Sequence, residues 1–204
     1  MPSLRFGGLR KYVNMETVLY YKRTLTLSAK FEFLTGEKME LRKINIDDAY
    51  AQWQYTTNLP EDENGLTNPY HGVSYDEYVK TVLPKIISYE HPADMPDWFV
   101  PETYYYLWDD NTLAGEFRIR HYLTDALREG AGHIGYSIKR DMRGKGYGTE
   151  GLKLTVEIAK TIVPEDEIYL RVYKDNIASQ RVMKKNGAYV TGEDEGHYFL
   201  RIKK

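Results

Sequence analysis

The chain has 204 residues, 42% hydrophobic and 28% charged, which is an ordinary composition for a soluble globular protein with one substantial core. It has no cysteine, which excludes disulfides, thiolate metal sites and a cysteine nucleophile. No apolar run approaches the roughly 20 residues needed to span a bilayer, and the N-terminus lacks a signal-peptide pattern. We therefore expect a cytoplasmic protein that has no membrane partner.

The net charge of −2 is unevenly distributed along the chain. Residues 1–38 carry seven Lys or Arg and three Glu, a net charge of +4, which leaves −6 for the remainder. We predict a basic N-terminal extension over residues 1–38, which is either disordered or, over residues 17–33, strand-forming. These charges are too scattered to form a strong basic patch, so we do not expect a nucleic-acid partner. The main domain is expected to occupy residues 39–204.

The main domain begins with strand and helix signals. A strand is predicted to start at Met39, followed by a helix over about residues 48–57 with Asn45 or Asp47 as its N-cap. Residues 58–74 are predicted to form a loop, because proline, glycine and asparagine are frequent there.

The next segments change from helical to strand periodicity. Ser74 is expected to cap a helix over residues 75–89, which Pro84 should kink or split. A proline-rich loop follows this helix. Period-two alternation then predicts an antiparallel hairpin formed by residues 103–108 and 112–122.

The C-terminal half alternates between strands and helices. The predicted elements are a strand at 133–140, a helix at 146–163, a strand at 168–174, a helix at 177–186 and a closing hairpin of 188–191 with 197–202.

The most informative segment is the glycine-rich stretch from Arg143 to Thr149, between a predicted strand and a predicted helix. The first N–H groups of a helix lack internal partners and carry partial positive charge, and glycine lets the backbone approach a phosphate closely. The stretch lacks the order of a Walker loop, and Thr149 stands where a dinucleotide-binding loop needs its third glycine. Arg143, Gly146 and Gly148 match the pattern Arg-x-x-Gly-x-Gly. By itself this pattern leaves a purely structural turn open.

A second motif follows further along the chain. Asn176, Ala178 and Ser179 form Asn-x-Ala-Ser at the start of the last predicted helix, which ends at Asn-Gly-Ala, residues 186–188. With these motifs in this order, the chain resembles the GNAT superfamily of acyltransferases over about residues 39–204. The resemblance is sharpest over residues 133–188 and is closest to an uncharacterised bacterial branch.

The resemblance implies an α+β fold of the three-layer α/β/α type. A mixed, mostly antiparallel seven-stranded sheet would have helices on both faces and would splay apart between the strands at 133–140 and 168–174. The cofactor site would lie in that splay. The implied activity is acetyl transfer from acetyl-CoA, as acyl donor substrate, to a primary amine of a small molecule or protein.

The resemblance also implies how acetyl-CoA is held. The strand backbone at 138–140 would pair with the pantetheine arm, and an N–H near Ile138 would polarise the thioester carbonyl. The glycine-rich stretch would bind the pyrophosphate. The cofactor-binding residues implied are Ile138, Lys139, Arg140, Arg143, Gly144, Lys145, Gly146, Tyr147, Gly148, Thr149, Asn176 and Ser179.

The chain departs from the family at the residue that protonates the leaving thiolate. Many members place a tyrosine seven positions after the asparagine of the last helix, where this chain has Met183. Tyr136, Tyr173 or water would then have to serve as the acid. A thiol with a pKa of about 8.5 leaves tolerably as a thiolate near neutral pH, so turnover does not require a tyrosine at that position.

The base that deprotonates the amine is less clearly marked. His133, at the start of the strand before the glycine-rich stretch, is the first candidate, with Glu116 and His121 behind it. A structural interpretation of each residue remains open. His133 is then a strand-end histidine that is hydrogen-bonded to the backbone, and Glu116 is an ordinary exposed strand residue. His197 is expected at the surface and residues 193–195 as a solvated turn.

Two other functions and several details stay open. Met183 leaves room for a non-catalytic acyl-CoA-binding sensor module, and the basic extension for a nucleic-acid-associated protein. No histidine has metal-ligand spacing, so we expect no metal. The acidic main domain slightly favours a cationic acceptor, and a homodimer is left open.

Overall fold

A computed structural model describes residues 39–91 and 99–204. The predicted extension at 1–38, with its strand-forming segment at 17–33, lies outside the described residues, as do residues 92–98 of the predicted proline-rich loop. The elements in chain order are β1 (Met39–Lys43), α1 (Ala49–Asn58), β2 (Asp62–Glu63), β3 (Leu66–Thr67), α2 (Tyr75–Glu77), a π-helical turn (Tyr78–Val82), α3 (Leu83–Ser88), β4 (Glu102–Asp109), β5 (Thr112–Arg120), α4 (Asp125–Arg128), β6 (Ile134–Ile138), a 3₁₀ turn (Arg140–Met142), α5 (Tyr147–Ile162), β7 (Glu167–Tyr173), α6 (Ile177–Lys185), β8 (Tyr189–Glu193) and β9 (His197–Lys203).

The seven main strands form two antiparallel sheets. One has the order β1-β4-β5-β6 and the other β7-β9-β8. They meet at a single isolated bridge between Gly132 and Leu170, and β6 and β7 are not paired beyond it. The predicted α+β fold is confirmed, but the expected single mixed sheet is divided at the bridge, and all strand pairs among the described residues are antiparallel.

Helices cover both faces of the four-stranded sheet. Because side chains alternate along a strand, Leu107 and Phe117 pack against Leu152 of α5 in one hydrophobic cluster. On the opposite face, Tyr106 packs with Tyr78 of the π-helical turn in a second cluster. These five side chains are 0% exposed. The two cores hold β6 between α5 and the N-terminal helices, where it forms one side of the division between the sheets.

The helix starts follow the predicted polar residues in part. The Ser74 hydroxyl accepts the N–H of Glu77 at 3.2 Å, which confirms the predicted cap. Asp48 occupies the cap position of α1, and Asn45 Oδ1 accepts the Asp48 N–H at 2.8 Å, so Asn45 closes the turn before the helix. No helix among residues 39–91 and 99–204 is long and apolar enough to cross a membrane.

Pro84 is accommodated by a change in helix type. The π-helical turn directly precedes it, and Pro84 lies at the start of α3. Because proline has no N–H and its ring clashes with the carbonyl four residues earlier, regular α-helical bonding cannot continue through it, and the wider π-helical turn takes its place. The predicted splitting of the 75–89 helix therefore takes the form of a wide turn within a continuous helical segment.

A short β-ribbon interrupts the predicted loop at residues 58–74. Strands β2 and β3 pair around the turn residues Asn64 and Gly65, which have φ angles of 54° and 79°. Consecutive positive φ values favour a tight hairpin, and Asn-Gly is the preferred sequence for it. The Asn-Gly turn signal is present in the sequence. The strands on either side have only two residues, which is too short for an alternating pattern to be detected.

Candidate active site

A cleft of about 510 Å³ opens where β6 and β7 diverge. Residues 134–138 line one wall and residues 171–173 the other, and the start of α5 and residues 178–185 of α6 also line it. The β2–β3 ribbon contributes residues 63–66 to the lining. This cleft lies where the predicted splay was expected to bind a ligand.

The glycine-rich stretch forms the entry to α5. Gly146 is the cap residue with a φ of 98°, and its carbonyl accepts the N–H of Thr149 at 2.9 Å and that of Glu150 at 3.1 Å. Gly144 has a φ of 76°. A Cβ at either glycine would meet nothing within 4 Å, so the backbone there faces open space. A helix N-terminus with an open approach suits a phosphate.

The predicted cofactor residues divide into two groups. Eight line the cleft: Ile138, Arg143, Gly144, Gly146, Gly148, Thr149, Asn176 and Ser179. Four are not part of its lining: Lys139, Arg140, Lys145 and Tyr147. The Lys139 N–H donates to Ala114 O at 2.9 Å and the Tyr147 hydroxyl to Asp109 at 2.6 Å, so both residues also serve the fold.

Arg143 connects the glycine-rich stretch to the ribbon. Its guanidinium donates to both carboxylate oxygens of Glu63, at 2.8 and 2.6 Å, and its Nε donates to Ile138 O at 2.9 Å. The Arg143 guanidinium holds the pKa of the Glu63 carboxyl below its usual value. The ribbon is thereby tied to the end of β6, where the cleft opens.

The sequence also matches a known protein family over most of its length. The family described as the acetyltransferase (GNAT) domain matches residues 38–189, well over half of the chain. The chain belongs to the GNAT acetyltransferase family.

Solved structures of GNAT proteins share the fold at low sequence identity. Aminoglycoside acetyltransferase AAC(6')-Ib in complex with coenzyme A has a TM-score of 0.55 at 17% identity, covering 82% of this chain and 95% of that one. RimL, a ribosomal L7/L12 alpha-N-protein acetyltransferase in complex with coenzyme A, has a TM-score of 0.57 at 18% identity, with 81% and 93% covered. The ribosomal-protein-S5-alanine acetyltransferase from Vibrio fischeri has a TM-score of 0.57 at 18% identity, covering 81% and 92%.

Tyr136 lies on the wall of the GNAT cleft. Its hydroxyl is 2.7 Å from the Ser179 hydroxyl, and its ring stacks on Phe117. Asn176 positions that serine, because its Oδ1 accepts the Ser179 N–H at 3.1 Å. Burial raises the pKa of Tyr136 to about 12, so its hydroxyl keeps its proton throughout the neutral range.

Met183, at the position of the family's usual tyrosine, is 3% exposed, belongs to the hydrophobic core and contributes to the lining of the cleft. The other tyrosine suggested as an acid, Tyr173, lines the cleft next to the ribbon. A Cβ at Gly65 would lie 2.8 Å from the Tyr173 ring, so a larger residue there would displace the ring.

His133 lies outside the cleft lining and is 0% exposed. Its Nδ1 accepts the Tyr169 N–H at 2.8 Å, which places the proton of the neutral ring on Nε2, 3.0 Å from Glu165 Oε2. Burial lowers its pKa, with the hydrogen bond to Glu165 opposing the shift. Both nitrogens are therefore engaged by residues in or just before β7, and this placement does not suit the expected role of His133 as the base.

Glu116 and His121 are also absent from the cleft lining. Glu116 is 5% exposed and lies 3.1 Å from Arg118 Nε. Burial raises the pKa of Glu116, and the nearby Arg118 opposes the rise. His121 Nε2 is 2.8 Å from the Thr103 hydroxyl. Because neither residue lines the cleft, the structure does not favour the expected role of either one as the base.

His197, expected at the surface, lines the cleft instead. Its Nδ1 is 3.0 Å from Asp194 Oδ1, and its ring centroid is 4.3 Å from that of Tyr173. Its Nε2 is buried and has no hydrogen-bond partner among residues 39–91 and 99–204. The sequence signal is the Asp-x-x-His spacing around a tight turn, but only the pairing of Tyr173 with His197 brings it to the cleft.

Proposed function

We propose that this protein transfers an acetyl group from acetyl-CoA to a primary amine in a ternary complex. The observation that carries the proposal is the cleft between β6 and β7, which ends at the open glycine-rich entry to α5. There the helix N-terminus would bind the pyrophosphate, and Asn176 and Ser179 would contact the pantetheine arm. Holding both substrates in one cleft supplies much of the rate of a direct transfer.

The activity is tested by measuring the release of free thiol from acetyl-CoA in the presence of a panel of amines. Amine-dependent release supports the proposal. Tight binding of acetyl-CoA without release in the presence of any amine would identify an acyl-CoA-binding sensor module instead.

The Tyr136 hydroxyl would stabilise the leaving thiolate. Because burial raises its pKa to about 12, far above the value of about 8.5 for a thiol, it acts as a hydrogen-bond donor without complete proton transfer. One such bond is worth about 1.5 kcal/mol, so Tyr136→Phe should lower kcat about tenfold and leave the affinity for CoA nearly unchanged. Steady-state kinetics and calorimetry test this, with the exposed Tyr122→Phe as the matched control. An unchanged kcat would contradict the role.

His197 would accept the proton of the amine. Asp194 orients its ring through Nδ1, and a buried Nε2 without a partner in the described chain is suited to a substrate hydrogen bond. His197→Gln should lower kcat about 100-fold.

The matched control for His197→Gln is His133→Gln, measured with the same substrates. Loss of the His133 contacts leaves the Tyr169 N–H unpaired and removes one hydrogen bond from the Glu165 carboxylate, which Leu123 and Arg128 still contact, so stability should fall by about 1–3 kcal/mol while kcat changes little. If kcat falls about 100-fold in the His133 variant and stays unchanged in the His197 variant, the assignment is reversed.

The catalytic domain is proposed to comprise residues 39–204. The family match begins at residue 38, next to the change in charge at that point of the sequence. A chain beginning at Met39 should therefore melt cooperatively and bind CoA as the full chain does. Thermal melting and calorimetry test this, and loss of both properties would show that residues 1–38 belong to the domain.

A further inference from the structure

Two arginines enter the cleft on the face opposite α5. Along β7, Leu170 and Val172 point into the core that contains α5, so Arg171 between them points to the other face. Ile119 of β5 belongs to the same core, so the neighbouring Arg120 also points away from α5. Both arginines line the cleft. The start of α5 would hold acetyl-CoA, so an acceptor would approach the thioester from the opposite side of the cleft. Both arginines lie on that opposite side.

The two guanidinium groups are held differently. Arg120 Nη1 donates to Gly132 O at 3.0 Å, and its Nε lies 3.8 Å from Glu102 Oε2. Arg171 has no hydrogen bond or ion pair with any residue of 39–91 or 99–204. Burial lowers the pKa of Arg120, and the carboxylate of Glu102 opposes the shift. The charges of Arg118 and, less strongly, Arg171 lower this pKa further, so Arg171 lies within electrostatic range of Arg120.

The charges on this face leave one cation unpaired within the described chain. Glu116 lies 3.1 Å from Arg118, and Glu102 is the carboxylate nearest Arg120. With these two carboxylates assigned, Arg171 has none. A half-buried guanidinium beside a second one is an unfavourable arrangement that a bound anion relieves.

We propose that the acceptor amine carries an anionic group, a carboxylate or a phosphate, that Arg171 binds together with Arg120. This inference rests on the proposed function and names its substrate class. A guanidinium presents a planar fork of donors that matches either anion. The expectation of a cationic acceptor came from the net charge of the whole domain. The local charge of the cleft wall outweighs it, because distant exposed charges are screened by salt.

Matched amines separate the contribution of the anion from that of the amine. The kcat/KM of the full chain is measured with acetyl-CoA and two matched pairs of amines. One pair is β-alanine and β-alanine amide, and the other is ethanolamine phosphate and ethanolamine. A diamine is measured as well. The unaltered protein should prefer the anionic member of one pair at least tenfold, and the pair that responds distinguishes carboxylate from phosphate. Arg171→Met should abolish the preference by raising the acceptor KM, while the KM for acetyl-CoA stays the same.

The controls follow from the contacts of each arginine. Arg171→Lys keeps the charge without the fork and should retain part of the preference. Arg201→Met removes an arginine that lies over the Tyr169 ring and outside the cleft lining, and should keep the full preference. Because intrinsic amine reactivity is the same for every variant, the ratio of preferences isolates Arg171.

A preference for neutral amines or the diamine, or an equal preference in the Arg171→Met variant, overturns the inference and leaves amine acetylation standing. Absence of thiol release with every amine overturns the proposed function and this inference with it.

Discussion

A Gly146→Asp variant should bind coenzyme A at least about 100-fold more weakly than the unaltered chain, about 2.7 kcal/mol. The carboxylate would occupy the open space at the entry to α5, where the pyrophosphate is expected, and like charges at about 4 Å repel by about 4 kcal/mol near a protein surface. The φ of 98° at Gly146 adds a conformational cost for any residue with a Cβ. Isothermal titration calorimetry with CoA measures the loss.

Gly72 provides the matched control for that substitution. It has a φ of 71°, it faces open space, and it does not line the cleft. Gly72→Asp therefore introduces a comparable conformational cost and the same charge away from the proposed pyrophosphate site. A Gly146→Asp variant that folds and keeps the CoA affinity of the Gly72→Asp variant would contradict the phosphate-binding role of the glycine-rich stretch.

The second large effect is expected at Gly132, where the two sheets meet. With a φ of 69°, a Cβ at this position would lie 2.3 Å from the backbone oxygen of Tyr169, which also accepts the His133 N–H at 2.7 Å. Gly132→Ala must therefore displace the junction of the sheets. We expect a loss of about 2–4 kcal/mol and a drop in Tm of roughly 5–15 °C.

Gly72→Ala separates the two causes of this loss. Its φ of 71° nearly equals that of Gly132, but a Cβ there meets nothing within 4 Å, so only the conformational cost of about 1–2 kcal/mol applies. Calorimetric melting of both variants measures the difference. Equal Tm values would show that the close contact between residue 132 and the Tyr169 backbone oxygen makes no contribution to the loss of stability.

Local sequence signals predicted the elements around the cleft well. The predicted helix at 146–163 is Tyr147–Ile162, and the predicted strand at 168–174 is Glu167–Tyr173. Both are long enough for their periodicity to be clear, and the glycines and Asn176 mark the helix starts. The strand predicted at 133–140 ends at Ile138, because the backbone turns into a 3₁₀ turn at Arg140.

The least predictable parts of the site depend on contacts between distant residues. Alternation along β6 indicated that His133 and Gly135 share a face, but not that the cleft would begin beyond His133. The ring of His133 is enclosed because Glu165, just before β7, and Tyr169, within β7, both contact it. His197 reaches the cleft through a strand pairing that no local pattern specifies.

By itself, the sequence determined the family, the order of the elements and the glycine-rich entry to α5, because these depend on residues close together in the chain. Only the tertiary structure decided which side chains share the cleft. Arg120 and Arg171 are on strands of different sheets, and the β2–β3 ribbon reaches the cleft through the ion pair of Glu63 with Arg143. Such convergence depends on how the two sheets diverge from one bridge, and the packing of many residues sets that geometry.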